Sequence, residues 1–343
     1  MSEPLVSILL PARDAAATLP ACLASIQRQS ESRFECVLVD DGSRDATRAI
    51  AESLARRDAR FRVIVTGPRS PMKLEKSGLV AALNTGLEAC RAPLVARMDA
   101  DDLMHRDRLA LQLAALGAAP RLAGVGCHVR VFPRASLRSG LCDYERWLRS
   151  IDTTHRVTCE RFVECPLPHP TWMLRRELML RLGYRDCGWP EDYDFLLRVF
   201  AAGERMGVVP RRLLAWRDRP ARLWRTDPAY AQPRFLACKA QYLSEGPLRH
   251  GNDYVLWGFG ETGKALRRAL AALGKHPAWI VELHPRRLGE TIHGAKVVRP
   301  ETLPSLPKLP IIASVAGTFA RTEIRTQCRR MNLREPLDFT CTA

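Results

Sequence analysis

The sequence predicts an α/β protein built on a doubly wound, mostly parallel sheet, with a second, smaller α/β domain behind it. Three observations predict this. Short apolar runs alternate with amphipathic segments through roughly the first hundred residues. Three of those runs end in acidic or turn-forming residues. After a polar break, "SEGPLRHGN", a glycine-rich turn joins one more apolar run to one more amphipathic segment.

The elements follow in order. "PLVSILLPA" reads as a buried strand ended by Pro11. "TLPACLASIQRQS" reads as a helix with Thr18 at its N-cap and Leu19, Leu23 and Ile26 on one face. "FECVLVDDGS" is a second strand, and "DATRAIAESLARRD" a second helix with Ala46, Ile50 and Leu54 in line. "RFRVIVT" is a third strand, followed by a polar loop and the helix "GLVAALNTGLEAC". "PLVARMDA" is a fourth strand. Beyond it lie a strand, "AGVGCHVRVF", and a helix, "CGWPEDYDFLLRVFAAGE", with Phe195, Val199 and Ala202 expected inward. "WRDRPARLWRTDPAYAQPRF" reads as a Pro- and Arg-rich loop. The expected domains are 1–247 and 248–343.

Composition narrows the function. Apolar residues make up 46% of the 343 positions, enough for a real core. No run of apolar residues is long enough to cross a membrane, and "MSEPLVSILLPARDAAATL" lacks the basic start of a signal peptide. Eleven cysteines without CxxC spacing fit reduced core thiols in a cytoplasmic protein. The net charge of +16 suits anionic small substrates, an anionic membrane face or simply an Arg-rich solvated surface. No nucleic-acid motif accompanies it, so no nucleic-acid partner is expected.

The densest chemistry is "DADD". Asp99, Asp101 and Asp102 repel one another unless a metal ion, a helix N-terminus or water intervenes. A capped helix start before "LMHRDRL" is the competing reading. In doubly wound sheets ligands bind beyond the carboxyl ends of the strands. That places Pro11 to Asp14, Asp40 to Ser43 and Asp99 to Asp102 along one edge.

Five segments in order, "PARDA", "VDDGSRDAT", "GLVAALNTGL", "DADD" and "PEDYDFLLR", resemble the family-2 inverting glycosyltransferases over roughly residues 4–230. The resemblance implies the GT-A fold, a nucleotide-sugar donor with a UDP-sugar favoured, and Mg²⁺ or Mn²⁺. A divalent cation on carboxylate oxygens suits a diphosphate leaving group. By resemblance Asp101 is the chief metal ligand, with Asp99 near ribose and metal. Asp41 accepts from the nucleobase, with Pro11 and Arg13 lining the pocket; a strand-end Asx-turn is the alternative. Lys73 contacts base or diphosphate, with Lys76 its competitor. The family's acidic pair falls on Glu191 and Asp192, with Asp192 the general base and Asp194 the alternative. His169 and Trp189 are assigned to the acceptor side; a histidine held by Thr171 and a core tryptophan are the other readings.

One departure is visible. Where relatives carry a late-loop histidine, this chain has Arg219. Arginine cannot ligate a metal but can clamp phosphate, so Arg217, Arg219, Arg222 and Arg225 are candidates for the diphosphate.

In the second domain, Gly258, Gly260 and Gly263 with Glu282 match the dinucleotide fingerprint of a Rossmann-like domain. Structural or protein-binding use competes with a second nucleotide site there. The expected activity is sugar transfer to a glycan or lipid-linked acceptor in cell-surface polysaccharide or glycan synthesis. It would proceed in the cytoplasm, with peripheral contact at an anionic membrane face left open. A non-catalytic nucleotide-sugar sensor is the first rival. A sugar-phosphate nucleotidyltransferase is the second, although "PARDAAATL" lacks that class's glycine-rich loop.

Overall fold

The computed structural model describes residues 3–66, 78–220 and 222–343. Lys73 and Lys76 lie outside the described residues. The described chain forms two compact units. The first comprises Met1–Val157, Leu167–Cys187 and Asp194–Arg222; the second comprises Thr158–Pro166, Gly188–Tyr193 and Leu223–Ala343.

The first unit opens with β1 (Val6–Ala12), α1 (Leu19–Gln27), β2 (Phe34–Asp40), α2 (Thr47–Ala55), β3 (Phe61–Val65), α3 (Leu79–Ala89) and β4 (Leu94–Arg97). The strands run parallel in the order β3-β2-β1-β4. Every residue of β1 and β2 is buried. Such strands read as near-continuous apolar runs because both faces of a parallel sheet are covered. Each buried Ile, Leu or Val there contributes about 1.5–3 kcal/mol relative to exposure.

Next come β5 (Leu103–Met104), α4 (Arg108–Ala118), β6 (Gly124–Phe132), α5 (Ser139–Arg149), α6 (Thr154–Glu160), β7 (Met173–Arg175), α7 (Arg176–Leu182), α8 (Glu191–Ala201) and β8 (Met206–Arg217). They extend the sheet to β3-β2-β1-β4-β7-β6-β8-β5. β7 is antiparallel to both neighbours and β6 is parallel to β8. β8 therefore points the same way as β4 and ends at the same edge.

Several expectations are corrected. β1 does not stop at Pro11 but runs to Ala12, paired with Asp40 of β2. Thr18 precedes α1 without a side-chain cap; its hydroxyl donates to the Ala100 carbonyl instead. No helix starts after "DADD": Leu103 and Met104 form β5, and α4 begins at Arg108. Ala202 lies past α8 and is exposed, while Phe195 and Val199 are buried. The end of the Pro- and Arg-rich stretch folds into helical turns and a helix rather than a continuous loop.

The second unit adds α9 (Leu223–Thr226), α10 (Gln232–Glu245), β9 (Asp253–Trp257), α11 (Glu261–Ala271), β10 (His276–Val281), β11 (Thr291–Ile292), β12 (Ala295–Val298), β13 (Ile311–Ala313), α12 (Thr318–Arg330) and β14 (Phe339–Cys341). Its sheet has the order β11-β12-β10-β9-β13-β14, parallel except for β11. Trp257, Val281, Ile324 and Phe339 lie in its core. The segment Thr158–Pro166 is fastened to this unit by charge. Arg325 pairs with Glu160 at 2.8 Å and with Glu335 at 2.7 Å. Lys239 donates to the carbonyls of Val163 and Thr342 at 3.0 and 2.7 Å. Burial lowers the Lys239 pKa to about 8. Removing one partner of such a buried pair typically costs about 3–5 kcal/mol.

Candidate active site

The carboxyl edge of the first sheet is built from loops laced to one another. After β1, Asp14 takes a positive φ of 47°, a conformation Asp tolerates better than most residues. Its N–H donates to Ser43 Oγ at 3.0 Å, and its carboxylate accepts from Arg44 N at 2.7 Å. Ala15 N donates to Thr47 Oγ1 and Ala16 N to Asp45. The loops after β1 and β2 are thus one rigid piece.

Asp41 sits in that piece, 5% exposed. Its carboxylate accepts from Gly78 N at 3.0 Å and Thr66 Oγ1 at 3.2 Å, and pairs with Arg13 at 3.4 Å. Asp40 accepts from Ser43 N, and burial raises its pKa. Pro11 is buried within β1, one residue short of its end. Pro11, Arg13 and Asp41 therefore do come together.

After β4 the chain turns sharply, with Asp102 N donating to Asp99 O. Arg108 on α4 anchors this turn. It is fully buried and donates to the carbonyls of Arg97 and Trp172 at 2.9 and 3.4 Å. Arg97 is ion-paired with Asp99. The end of β8 and the loop beyond complete the arrangement. Arg217 donates from its backbone to Asp102 Oδ1 and from Nε to the Asp101 carbonyl, both at 2.7 Å. Arg219 pairs with Asp101 at 2.9 Å, and Arg222 stands 3.8 Å from Asp99. The Arg222 guanidinium also lies over the Trp216 ring, 4.4 Å from its centroid.

These charges set the carboxylates apart. Burial pushes Asp99 up, but Arg97 and Arg222 outweigh it and hold it below the usual range. Burial and the charge of Asp99 raise Asp101, and raise Asp102 well above its ordinary value. Each of the three offers an oxygen within 4.8 Å of the others. Asp102 Oδ2 is buried with no hydrogen-bond partner. An orphaned carboxylate oxygen beside two more acids is the donor set that a hard divalent cation prefers. The residues present fit such an ion. Asp102 does not cap a helix; it accepts from the backbone of β8.

Other expected site residues fall differently. His169 is 5% exposed and hydrogen-bonds through Nε2 to the Tyr184 hydroxyl at 2.8 Å, not to Thr171. It packs between Trp172 and Tyr184, with ring centroids at 4.6 and 5.4 Å. Burial, then the charge of Arg97, lower its pKa well below normal. Asp194 is fully buried between Arg185 and Arg198, at 3.0 and 2.8 Å. A carboxylate so bracketed is a poor base.

In the second unit, Glu191 is buried and accepts the Tyr230 hydroxyl at 2.6 Å. Asp192 is half-buried in the first turn of α8 and accepts from Tyr193 N at 2.7 Å. Trp189 is half-buried. Sequence reasoning missed Arg97 and Tyr230. Arg97 could have been suspected from its place two residues before Asp99; Tyr230 carried no signal.

The glycine turn of the second sheet serves packing. A Cβ on Gly263 would lie 2.0 Å from the Gly258 carbonyl oxygen, and one on Gly258 2.2 Å from Val315 Cγ2. Only Gly260 faces open space. Glu282 is held by Arg287 at 3.1 Å and accepts from Phe259 N at 3.4 Å.

The first unit is a mixed α/β sheet of the GT-A type, with an acidic turn and an arginine-rich loop at its carboxyl edge. Residues 7–183, more than half of the chain, match the model of glycosyl transferase family 2, and the chain belongs to that family. It is 29% identical over 222 residues to an uncharacterized glycosyltransferase, EpsJ, of Bacillus subtilis, covering 63% of this chain and 62% of EpsJ. It is 29% identical over 198 residues to the amylovoran biosynthesis glycosyltransferase AmsE of Erwinia amylovora, covering 57% and 69%. The chain thus spans under two thirds of EpsJ. Among solved structures, S. aureus TarS 1–349 with UDP-GlcNAc superposes with a TM-score of 0.52 at 16% identity, covering 77% of this chain and 71% of that one. The mannosyltransferase PcManGT of Pyrobaculum calidifontis, in complex with GDP-Man and Mn²⁺, gives 0.52 at 20%, covering 80% and 70%. At such identities the likeness speaks for the fold. Among the described residues no helix is long and apolar enough to cross a membrane.

Proposed function

We propose that the protein moves a sugar, with inversion, from a nucleoside diphosphate donor to an acceptor hydroxyl during polysaccharide or glycan assembly. The observation that carries this reading is the union, at one sheet edge, of the Asp41 pocket with the Asp99–Asp102 turn and its arginines. Family membership and the polysaccharide-related names of EpsJ's fellow relatives, AmsE and the B. subtilis teichuronic acid protein TuaG, support it.

In this reading Asp41, Pro11 and Arg13 receive the base, with uracil favoured. Lys73, outside the described residues, is assigned to base or diphosphate by the family resemblance alone, with Lys76 its competitor. Asp101 and Asp99 would hold Mg²⁺ or Mn²⁺, and that ion would supply charge stabilisation to the departing diphosphate. The Mn²⁺ in the PcManGT complex agrees with this choice. Arg219, with Arg217 and Arg222, adds fixed positive charge for the diphosphate, where arginine's planar fork is effective. Asp192 takes the proton from the acceptor hydroxyl as it attacks the anomeric carbon, and Glu191 and Trp189 stand on the acceptor side. One carboxylate suffices, because inversion needs no covalent intermediate. Domain limits of 1–247 and 248–343 remain our proposal for the functional division. In the second domain Arg287 engages Glu282, and Gly258 and Gly263 are packed while Gly260 faces open space. The acceptor is a glycan or lipid-linked glycan, and the basic surface suits peripheral contact with an anionic membrane.

The test is nucleoside diphosphate release from a panel of UDP- and GDP-sugars with Mn²⁺. Release that needs Asp192 and Asp101 supports the reading. Tight donor binding without any release favours a donor sensor instead.

A further inference from the structure

The acidic pair at the start of α8 is held on both flanks, by Tyr230 from outside its motif and by Tyr193 from within it. On one flank, Glu191 is 7% exposed and accepts the Tyr230 hydroxyl at 2.6 Å. Tyr230 closes the short turn Pro228–Tyr230, which Asp227 caps by accepting from Ala229 N at 2.9 Å. On the other flank, Tyr193 is fully buried and stacked on Phe235 of α10, with centroids 4.3 Å apart and planes at 12°. Its hydroxyl donates to the Arg161 carbonyl at 2.8 Å. Asp192 lies between these two fixed neighbours, half-buried, with one oxygen on Tyr193 N at 2.7 Å. These contacts hold the backbone on both sides of Asp192, and the Tyr193 N–H restrains its carboxylate.

A base needs this. Proton transfer is efficient only when the carboxylate stands within hydrogen-bond reach of the reacting hydroxyl, and misplacement by about 1 Å can cost about a hundredfold. A neutral hydroxyl on Glu191 is a strong fastening, because hydrogen bonds to charged acceptors are shorter and stronger than neutral ones.

We propose that Tyr230 is a positioning residue for sugar transfer: its hydroxyl holds Glu191 and thereby fixes the turn that aims Asp192. The proposal rests on the reading of Asp192 as the general base. It also gives the helical stretch after β8 a task in the reaction, where the sequence offered only a Pro- and Arg-rich loop.

Tyr230→Phe removes the hydroxyl and keeps the ring. Nucleoside diphosphate release from UDP-GlcNAc and from GDP-mannose, with Mn²⁺ and water as acceptor, is measured for this variant, Glu191→Ala and the double variant. Amide hydrogen exchange over residues 189–195 is followed in parallel. We expect kcat to fall about tenfold in Tyr230→Phe. KM for the donor should stay unchanged, the melting temperature should fall by no more than several degrees because buried Glu191 loses a partner, and exchange at 191–193 should quicken. In the Glu191→Ala background the same substitution should add less than about twofold, since its target is gone. Losses that multiply in the double variant, or an unchanged kcat, overturn the proposal. Unchanged exchange at 191–193 overturns it too, whatever the activity. If Asp192→Asn releases nucleotide at the wild-type rate, the base assignment fails and the positioning claim falls with it. If the wild type releases nothing from either donor but exchange responds as expected, the transfer reading is the part that fails, and the catalytic claim for Tyr230 goes with it.

Discussion

The described residues form two mostly parallel sheets, and their carboxyl edges make an instructive pair. At the first, side chains from the loops after β1, β2, β4 and β8 converge, and they do not cancel. Asp102 keeps an orphaned oxygen, and Asp101 and Asp102 are raised by burial and by Asp99. At the second, two glycines of the turn after β9 serve packing, since Gly258 and Gly263 bring α11 against the strand ends, and Arg287 pairs with Glu282. The same architecture therefore carries stored electrostatic tension at one edge and close packing at the other. A glycine fingerprint by itself says only that backbones approach closely. An incompletely satisfied acidic cluster says that something is meant to arrive.

The sharpest test of the proposed chemistry begins with the proposed base. Asp192→Asn should lower kcat for transfer by roughly 10²–10⁴-fold with donor affinity intact, measured by nucleotide release and donor titration. Transfer at the wild-type rate would remove Asp192 as base. Asp101→Ala should weaken Mn²⁺-dependent binding of UDP by at least about tenfold in calorimetry, while metal-free binding changes little. Equal affinities with and without Mn²⁺ in the wild type would show that the arginines alone serve the diphosphate.

At the second edge the expected losses are of another kind. Gly263→Ala should cost about 1–3 kcal/mol in denaturant unfolding, because the new methyl meets the Gly258 carbonyl, yet leave UDP affinity unchanged. A loss of UDP affinity in the folded variant would mean that this turn binds nucleotide after all. Smallest of all, Glu282→Gln should shift neither transfer nor UDP affinity by more than about twofold. A larger change would erase the contrast between the edges.

Much of this was readable beforehand, and the reasons are local. β1, β2 and β4 are apolar runs long enough to announce buried parallel strands, and acids at their ends fall on the ligand edge by topology alone. Asp41 and the "DADD" turn were found that way. The motif around His169 does not reveal that Tyr184, fifteen residues on, and Trp172 enclose it. Asp194 stood as an alternative base until Arg185 and Arg198 were seen on either side. β5 was unreadable: two residues form a strand only because β8, more than a hundred residues later, pairs with them.

The sequence by itself determined the alternation of strands and helices, the family, and which carboxylates end which strands. Those properties follow from hydrophobic period and from chain order, which neighbouring residues encode. Only the tertiary structure decided how the acids are used. Arg97, Arg219 and Arg222 set Asp99 below its normal pKa while burial lifts Asp101 and Asp102; Arg287 silences Glu282; and Tyr230 fastens Glu191. A carboxylate's charge depends on which groups lie within a few ångströms and how much water remains, and both are fixed by contacts between residues far apart in the chain.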